Sequence, residues 1–527
     1  MKHARKALLF ALLLAPSAFL ARYAGDMPHL GHFQDDGIYW TCAKSIASGM
    51  GYRIESLPGA PYQTKYPPLY PLLLAPIWKW NPAFPGNLRV AMLAAWLALP
   101  LFLLAARRFL DGACVPAALV WLVLGALALN PFIVFFSTTL MPELLFTALV
   151  LTAIFLAGRA EDTGCRCAAL MAGLAAGLAY LTKSSAAPLL ATVPLGLLLR
   201  RQARSAGIFS AGMLPAMAAW ALWSRAHLEP TSDAVTIYYT DYLRFHRMDV
   251  AWSDFPALVW KNLNSLVQGA GGLIHFSVSA SFATRLLLTV LGVAAIAGIV
   301  RWTRRTRQLQ YPLFAAGFSL QLLLWNFPPN ERLLLPLAPL LCLGFAVESS
   351  HLLRMLRASW RGGVKSNRAA AVVILALLAV LGASIAVSTG QALTGYLPGV
   401  VIEARCARRY SLPLYRWMEQ NLPPRAAVLT CHDTVLYLNT GIRAARPIVM
   451  SMPQYRYDTA AMRRPFESLS TYARQHGFEY FLLTRRDYSS GELAWGDFHA
   501  LLDLVRKDAG LILLHETPGC WLYKVSS

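Results

Sequence analysis

Residues 282–307 read FATRLLLTVLGVAAIAGIVRWTRRTR, an apolar run that ends in Arg301, Arg304, Arg305 and Arg307. Taken as 282–300, the run approaches the roughly 20 helical residues that cross a bilayer core. Ten further apolar runs occupy approximately 7–24, 88–106, 113–130, 140–158, 168–182, 186–199, 206–224, 311–326, 333–350 and 369–389. Hydrophobic residues make up 56% of the 527-residue chain and charged residues 14%. A soluble domain covers its surface with roughly 25% charge. The expected fold is a polytopic α-helical membrane protein with about eleven transmembrane helices.

The arginines that close residues 282–307 belong to a longer pattern. Basic residues gather in alternate connections: Lys2, Arg5 and Lys6; Arg107 and Arg108; Arg159 and Arg166; Arg200, Arg201 and Arg204; the 301–307 group; and Arg354, Arg357, Arg361, Lys365 and Arg368. The intervening short connections hold almost none, with Lys183 and Arg332 as exceptions. This is the positive-inside pattern, and the net charge of +21 records topology, which argues against a nucleic-acid partner. The phase puts the N-terminus in the cytoplasm, the C-terminus outside, and three long segments outside: about 25–87, 225–281 and the tail from 390. Met1–Ala24 has the basic start and Leu-rich centre of a cleaved signal peptide, yet it is long enough to anchor and is read as retained. Among eight cysteines no zinc spacing occurs. Cys406, Cys431 and Cys520 lie in the outward tail, where one disulfide or three unpaired thiols both fit.

The outward segments have structure of their own. Residues 34–52 read as a helix that starts near Asp35–Asp36 and stops at Gly49 and Gly51. The aromatic, proline-containing stretch after Lys65-Tyr66-Pro67-Pro68 reads as an interfacial segment. In 225–281, residues 237–242 and 252–260 read as amphipathic pieces, with a flexible join at 269–272. The tail reads as α/β: helices at 415–421, 469–476 and 498–508, strands at 427–430 and 480–484, and a hairpin of 511–515 with 521–525. The expected division is a membrane domain, 1–395, and a small extracytoplasmic α/β domain, 396–527.

Charged groups near a bilayer are costly and need a reason. Asp35, Asp36, Lys65, Glu143, Lys183 and Arg332 all fall at the outer surface in this topology. Acids and bases at one depth suit a reaction between a lipid-borne phosphate and a polar acceptor. A carboxylate takes a proton from an attacking hydroxyl, and the cations neutralise charge on a departing phosphate. Each residue also has an ordinary explanation. Asp36 can serve its helix terminus, Lys183 and Arg332 can reach headgroups, and Glu331 can pair with Arg332. His29 and His32, three apart, are weak evidence for a metal, so no metal site and no cofactor are assigned, and a dependence on divalent metal is left open.

Several stretches resemble the GT-C membrane glycosyltransferases, the group that includes protein O-mannosyltransferases and lipid A aminoarabinose transferases. They are Gln34-Asp35-Asp36-Gly37-Ile38-Tyr39, Tyr66-Pro67-Pro68-Leu69-Tyr70-Pro71, Met141-Pro142-Glu143, Gly177 to Lys183, and Glu331-Arg332-Leu333-Leu334-Leu335-Pro336. In the tail, Trp417 and Asn421-Leu422-Pro423-Pro424 ahead of a strand agree as well. The resemblance implies transfer, with inversion, of a sugar from a polyprenyl-phosphate donor to a lipid, glycan or protein acceptor outside the membrane. It implies Asp35 as the catalytic carboxylate with Asp36 beside it, and Lys65, Lys183 and Arg332 as ligands of the donor phosphate. Tyr39, Tyr66 and Glu143 would support the site. Many relatives have lysine directly before the Pro-Pro pair, whereas here Tyr66 stands there and Lys65 one residue earlier. The alternative is a transporter or flippase of lipid-linked sugars. Such proteins place ionisable groups near the bilayer midplane and often show paired repeats, neither of which the sequence contains.

Overall fold

The computed structural model describes residues 2–247, 250–279, 281–361, 365–447, 464, 466–485 and 498–526. Among these, seven helices are long and apolar enough to cross a membrane: Lys6–Tyr23, Leu88–Gly112, Glu143–Thr163, Ala203–His227, Phe282–Thr306, Glu331–Ala358 and Ala369–Asn421. At the other four expected positions the helices are shorter: Ala117–Ala128, Arg166–Thr182, Ser184–Leu199 and Gln310–Leu323. The 282–306 helix shows why these segments are apolar all round. Leu291, Ala295 and Trp302 face the bundle, while Leu286, Val290, Val293, Ile296 and Val300 form an exposed apolar stripe. A helix buried on one side and apolar on the other is one whose solvent is lipid.

The bundle packs through small residues. A Cβ on Gly298 of the 282–306 helix would run into the Gly344 carbonyl of the helix Ala338–Arg361. Glycine at both places lets the backbones touch, the usual means of helix association in lipid, where burying apolar area gives little drive. The helix Glu143–Thr163 is central, packed against Leu88–Gly112 and Arg166–Thr182.

The long loops are ordered. The acidic helix spans Asp35–Ala47, and Gly49 and Gly51 beyond it take φ of 79° and 83°. The aromatic stretch forms the helix Leu69–Trp80 against it. In the second loop, helices Ala234–Thr240 and Tyr242–Arg247 precede Phe255–Gly272. The expected flexible join at 269–272 is instead the last turn of that helix. Its glycines are there for room: a Cβ on Gly271 would strike the Leu288 carbonyl, and one on Gly272 would strike Glu331.

The tail follows the helix Leu397–Asn421, which is joined to the preceding helix by one π turn, Ala392–Tyr396. Five strands form a mixed sheet in the order β2-β1-β3-β5-β4, with β1 Ala427–Leu429, β2 Arg443–Ala445, β3 Tyr480–Thr484, β4 Leu511–Thr517 and β5 Cys520–Val525. The parallel pairs join β1 to β2 and β3, and the hairpin adds β5 and β4 antiparallel. β3 is buried at all five positions, as expected of a strand covered on both faces. Sequence reading did not anticipate β2 or the helix Asp433–Thr440. No disulfide joins Cys406, Cys431 and Cys520, or any of the other five cysteines, among the described residues.

Gly298→Leu is expected to cost stability beyond the roughly 1–3 kcal/mol of ordinary overpacking, because the obstacle is backbone. Gly382→Leu, where a side chain meets nothing within 4 Å, is the control. Thermal unfolding in detergent would show a large loss for the first and almost none for the second.

Candidate active site

Asp35 opens its helix and sits in a cluster of charges. Its Oδ2 accepts a hydrogen bond from Arg332 Nη2 at 2.6 Å, and its Oδ1 accepts one from the Tyr66 hydroxyl at 2.6 Å. Arg332 also donates from Nε to Glu143 Oε1 at 2.7 Å, and Lys183 Nζ donates to the same oxygen at 3.0 Å. Glu143 is 1% exposed, whereas Asp35 at 16%, Lys183 at 19% and Arg332 at 21% stay reachable. The buried acid is thus the anchor, and the other three groups keep partial exposure. Helix ends favour this arrangement. Glu143 starts its helix, where the dipole suits an anion, and Lys183 follows the last turn of Arg166–Thr182, where it suits a cation.

Lys65 stands on the far side of Tyr66. Its Nζ donates to the Tyr238 carbonyl at 2.6 Å and lies 4.0 Å from the Tyr238 ring, 4.9 Å from Phe245 and 5.1 Å from Tyr66. Gln63 Oε1 shapes this corner by accepting from the Lys65 and Tyr66 amides at 2.8 and 3.1 Å. Tyr39, one turn after Asp35, packs its ring against Tyr66 and Tyr70 at 5.2 and 5.4 Å. Asp36 lies elsewhere. It is 1% exposed and accepts from the amides of Gly31 and Gly37, each at 2.9 Å. The structure therefore joins Asp35, Tyr66, Glu143, Lys183 and Arg332 and leaves Asp36 closing the turn before the helix. Glu331 does not pair with its neighbour, because Arg332 is engaged by Asp35 and Glu143. His29 contacts the Thr138 carbonyl at 2.7 Å and His32 packs against Phe33 and Phe135. No group of three or more His, Cys, Asp or Glu suited to a metal occurs among the described residues.

The residue before Asp35 is held in place from two other segments. Gln34 has φ of 60°, a left-handed conformation that is unfavourable without a glycine. Its Nε2 donates to the Tyr239 hydroxyl at 2.9 Å and to Asp433 Oδ1 at 3.3 Å. Its Oε1 accepts from the Tyr238 hydroxyl at 2.6 Å and from Arg446 Nη1 at 2.8 Å. Tyr239 also donates to Asp433 Oδ2 at 2.8 Å. The tail fits tightly here, since a Cβ on Gly37 would overlap Thr434. Sequence reading missed Tyr238, Tyr239, Asp433 and Arg446 as site neighbours. The one local sign was Asp433 itself, a carboxylate just past strand β1.

Environment sets the charges. Burial alone would raise the Asp35 carboxyl, but Arg332 and Lys65, with the hydrogen bonds from Arg332 and Tyr66, bring it below its ordinary value. Asp35 is ionised at neutral pH. Burial, and then the Asp35 charge, keep the Tyr66 hydroxyl protonated as a donor. Burial pushes Asp433 up to about 6 against the hydrogen bond from Tyr239 and the charge of Arg446.

No protein-family model matches the chain, and no curated protein matches it by sequence. Solved structures do match. ArnT from Cupriavidus metallidurans bound to undecaprenyl phosphate aligns over 98% of this chain and 97% of its own, with a TM-score of 0.53 and 12% identity. The oligosaccharyltransferase of Archaeoglobus fulgidus, in complex with zinc and sulfate, aligns over 98% of this chain and 73% of its own, with a TM-score of 0.55 and 14% identity.

Because the folded state binds the Asp433 proton more tightly than the unfolded chain, this group stabilises fully below about pH 4, and the contribution is lost as pH rises through about 6. The loss is on the order of 2–3 kcal/mol. Thermal unfolding of wild type and Asp433→Asn from pH 4.5 to 7.5 should show wild type gaining on the variant toward low pH. A constant difference between the two would contradict this.

Proposed function

We propose that this chain, which has the GT-C fold, is a membrane glycosyltransferase that moves a sugar from a polyprenyl-phosphate donor to an acceptor hydroxyl, with inversion. The observation that carries the reading is the ionised Asp35 beside Arg332 and Lys183, both anchored on the buried Glu143. With Lys65, three cations face two carboxylates, which leaves one positive charge for an incoming phosphate. That ArnT has been solved with undecaprenyl phosphate supports a lipid-phosphate donor. The charges lie at helix ends, Glu143 at the first residue of its helix and Lys183 just past the last of its own. That placement favours surface chemistry over a midplane transport path.

In this mechanism the donor phosphate binds Arg332 and Lys183, with Lys65 close by. Arg332 turns toward the phosphate and releases Asp35, whose basicity rises. Asp35 then takes the proton of the acceptor hydroxyl as its oxygen attacks the anomeric carbon. The bond from that carbon to the phosphate oxygen breaks, and its electron pair leaves with polyprenyl phosphate. Arg332 and Lys183 stabilise the added negative charge. Tyr66 keeps Asp35 aimed through its other oxygen. One displacement from the face opposite the leaving group gives inversion. The acceptor is a hydroxyl of a lipid, a glycan or a protein. The setting is the bacterial cytoplasmic membrane, with the N-terminus inside and the site and C-terminus outside.

Asp35→Asn should lower transfer at least 100- to 10,000-fold, the range of general-base catalysis, with folding unchanged. The assay is movement of labelled sugar from a polyprenyl-phosphate donor by purified protein, and retained transfer would remove Asp35 from the mechanism. Because Arg332 lowers the Asp35 pKa only until phosphate takes it over, the acid limb of kcat should lie at higher pH than that of kcat/KM. Coincident limbs would mean that the Asp35–Arg332 pair persists through the reaction.

A further inference from the structure

A groove of about 820 Å³ lies away from the Asp35 cluster and shares no residue with it. It sits between the end of the helix Lys2–Tyr23, the start of Leu88–Gly112 and the helix Leu397–Asn421. Its rim carries Arg22, Arg89 and Arg405 and the single acid Asp26. Its wall is apolar, formed in part by Leu93 and Trp96. Trp96 closes the floor by donating from Nε1 to Ser17 Oγ at 3.1 Å, and Leu93 is 55% exposed on the lipid-facing side.

The charges do not cancel. Arg405 binds Asp26 at 2.8 Å and the Tyr23 carbonyl, and Arg408 adds a contact to Asp26 at 3.5 Å. Asp26 is therefore fully engaged by the 397–421 helix. Neither Arg22 nor Arg89 has a hydrogen-bond or ion-pair partner for its guanidinium among the described residues. Arg22 is in the last turn of its helix and Arg89 in the first turn of Leu88–Gly112, and both line the groove. The charge pattern assigns these helix ends to the outer surface. Two like charges on one groove repel unless an anion lies between them.

We propose that this groove binds an anionic glycerophospholipid of the surrounding leaflet. Its phosphate sits between Arg22 and Arg89, and an acyl chain runs along Leu93 and Trp96. A free phosphate ion would use the arginines but gain nothing from the apolar wall, so the groove as built favours a lipid over an inorganic anion.

The test titrates phosphatidylglycerol and phosphatidylcholine separately into full-length purified protein, with native mass spectrometry counting retained lipid. Wild type should prefer phosphatidylglycerol. Arg22→Gln/Arg89→Gln should weaken phosphatidylglycerol about tenfold or more and leave phosphatidylcholine unchanged, given about 1 kcal/mol per basic residue near an anionic surface. Arg22→Lys/Arg89→Lys, which keeps both charges, should retain the preference and so separates lost charge from lost folding. Equal affinity for the two lipids, or an undiminished preference in the glutamine variant, would overturn the proposal. So would inorganic phosphate displacing phosphatidylglycerol at equal concentration.

Discussion

One buried carboxylate sets the positions of the candidate-site charges. Glu143 accepts from both Arg332 and Lys183 on a single oxygen. An isolated carboxylate in such a place would cost several kcal/mol, and two cations offset that cost only if they stay close. The pairing fixes the start of the 143–163 helix, the end of Arg166–Thr182 and the start of Glu331–Leu334 at one depth. The bundle end could not splay without exposing a half-paired acid. Arg332 then reaches Asp35 with its remaining edge, and the acidic helix is docked by the same group that the site uses.

A second constraint acts on the backbone. Gln34 in a left-handed conformation costs on the order of 1–2 kcal/mol, and four side-chain hydrogen bonds offset it. Those bonds come from the second loop and from the tail, so the direction in which Asp35 leaves the turn depends on segments about 200 and 400 residues away. The tail sheet is thereby part of the site's support: Asp433 and Arg446 touch Gln34, while Thr434 leaves no room for a side chain on Gly37.

The membrane character was legible because apolar length and alternating basic clusters are local signals. The acidic helix and β3 were legible for the same reason, since glycine stops and a short apolar run are local too. Span length was less so. The expected spans at 113–130 and 186–199 meet helices Ala117–Ala128 and Ser184–Leu199, shorter than the apolar run in the first case. Local hydropathy could not distinguish the glycines of 269–272 as hinge or as packing surface, because the obstacle is a carbonyl on a different helix. The site divided along the same line. Asp35, Lys183 and Arg332 stood out as costly charges, but the network around Gln34 is made by tyrosines and an aspartate that are ordinary in sequence and meet only through tertiary structure. Asp36 illustrates the reverse. Its position beside Asp35 suggested a pair, yet adjacent residues in a helix point about 100° apart, and its oxygens serve the turn.

An aspartate locked to arginine is a poor base, and that resting state suits the proposed reaction. A carboxylate buried here without its cations would have a raised pKa and would be more readily protonated whether or not a donor was present. Held by Arg332, Asp35 stays ionised but weak until another anion competes for the guanidinium. A donor phosphate is such a competitor, with Lys183 beside it to share the charge. Binding the donor would therefore prepare the leaving group and release the base in one exchange of partners. Glu143 is what makes the exchange local: it keeps Arg332 tethered through Nε while the Nη2 edge changes hands. Asp36 could not replace Asp35 in this scheme, since its charge answers to backbone amides that no substrate would displace.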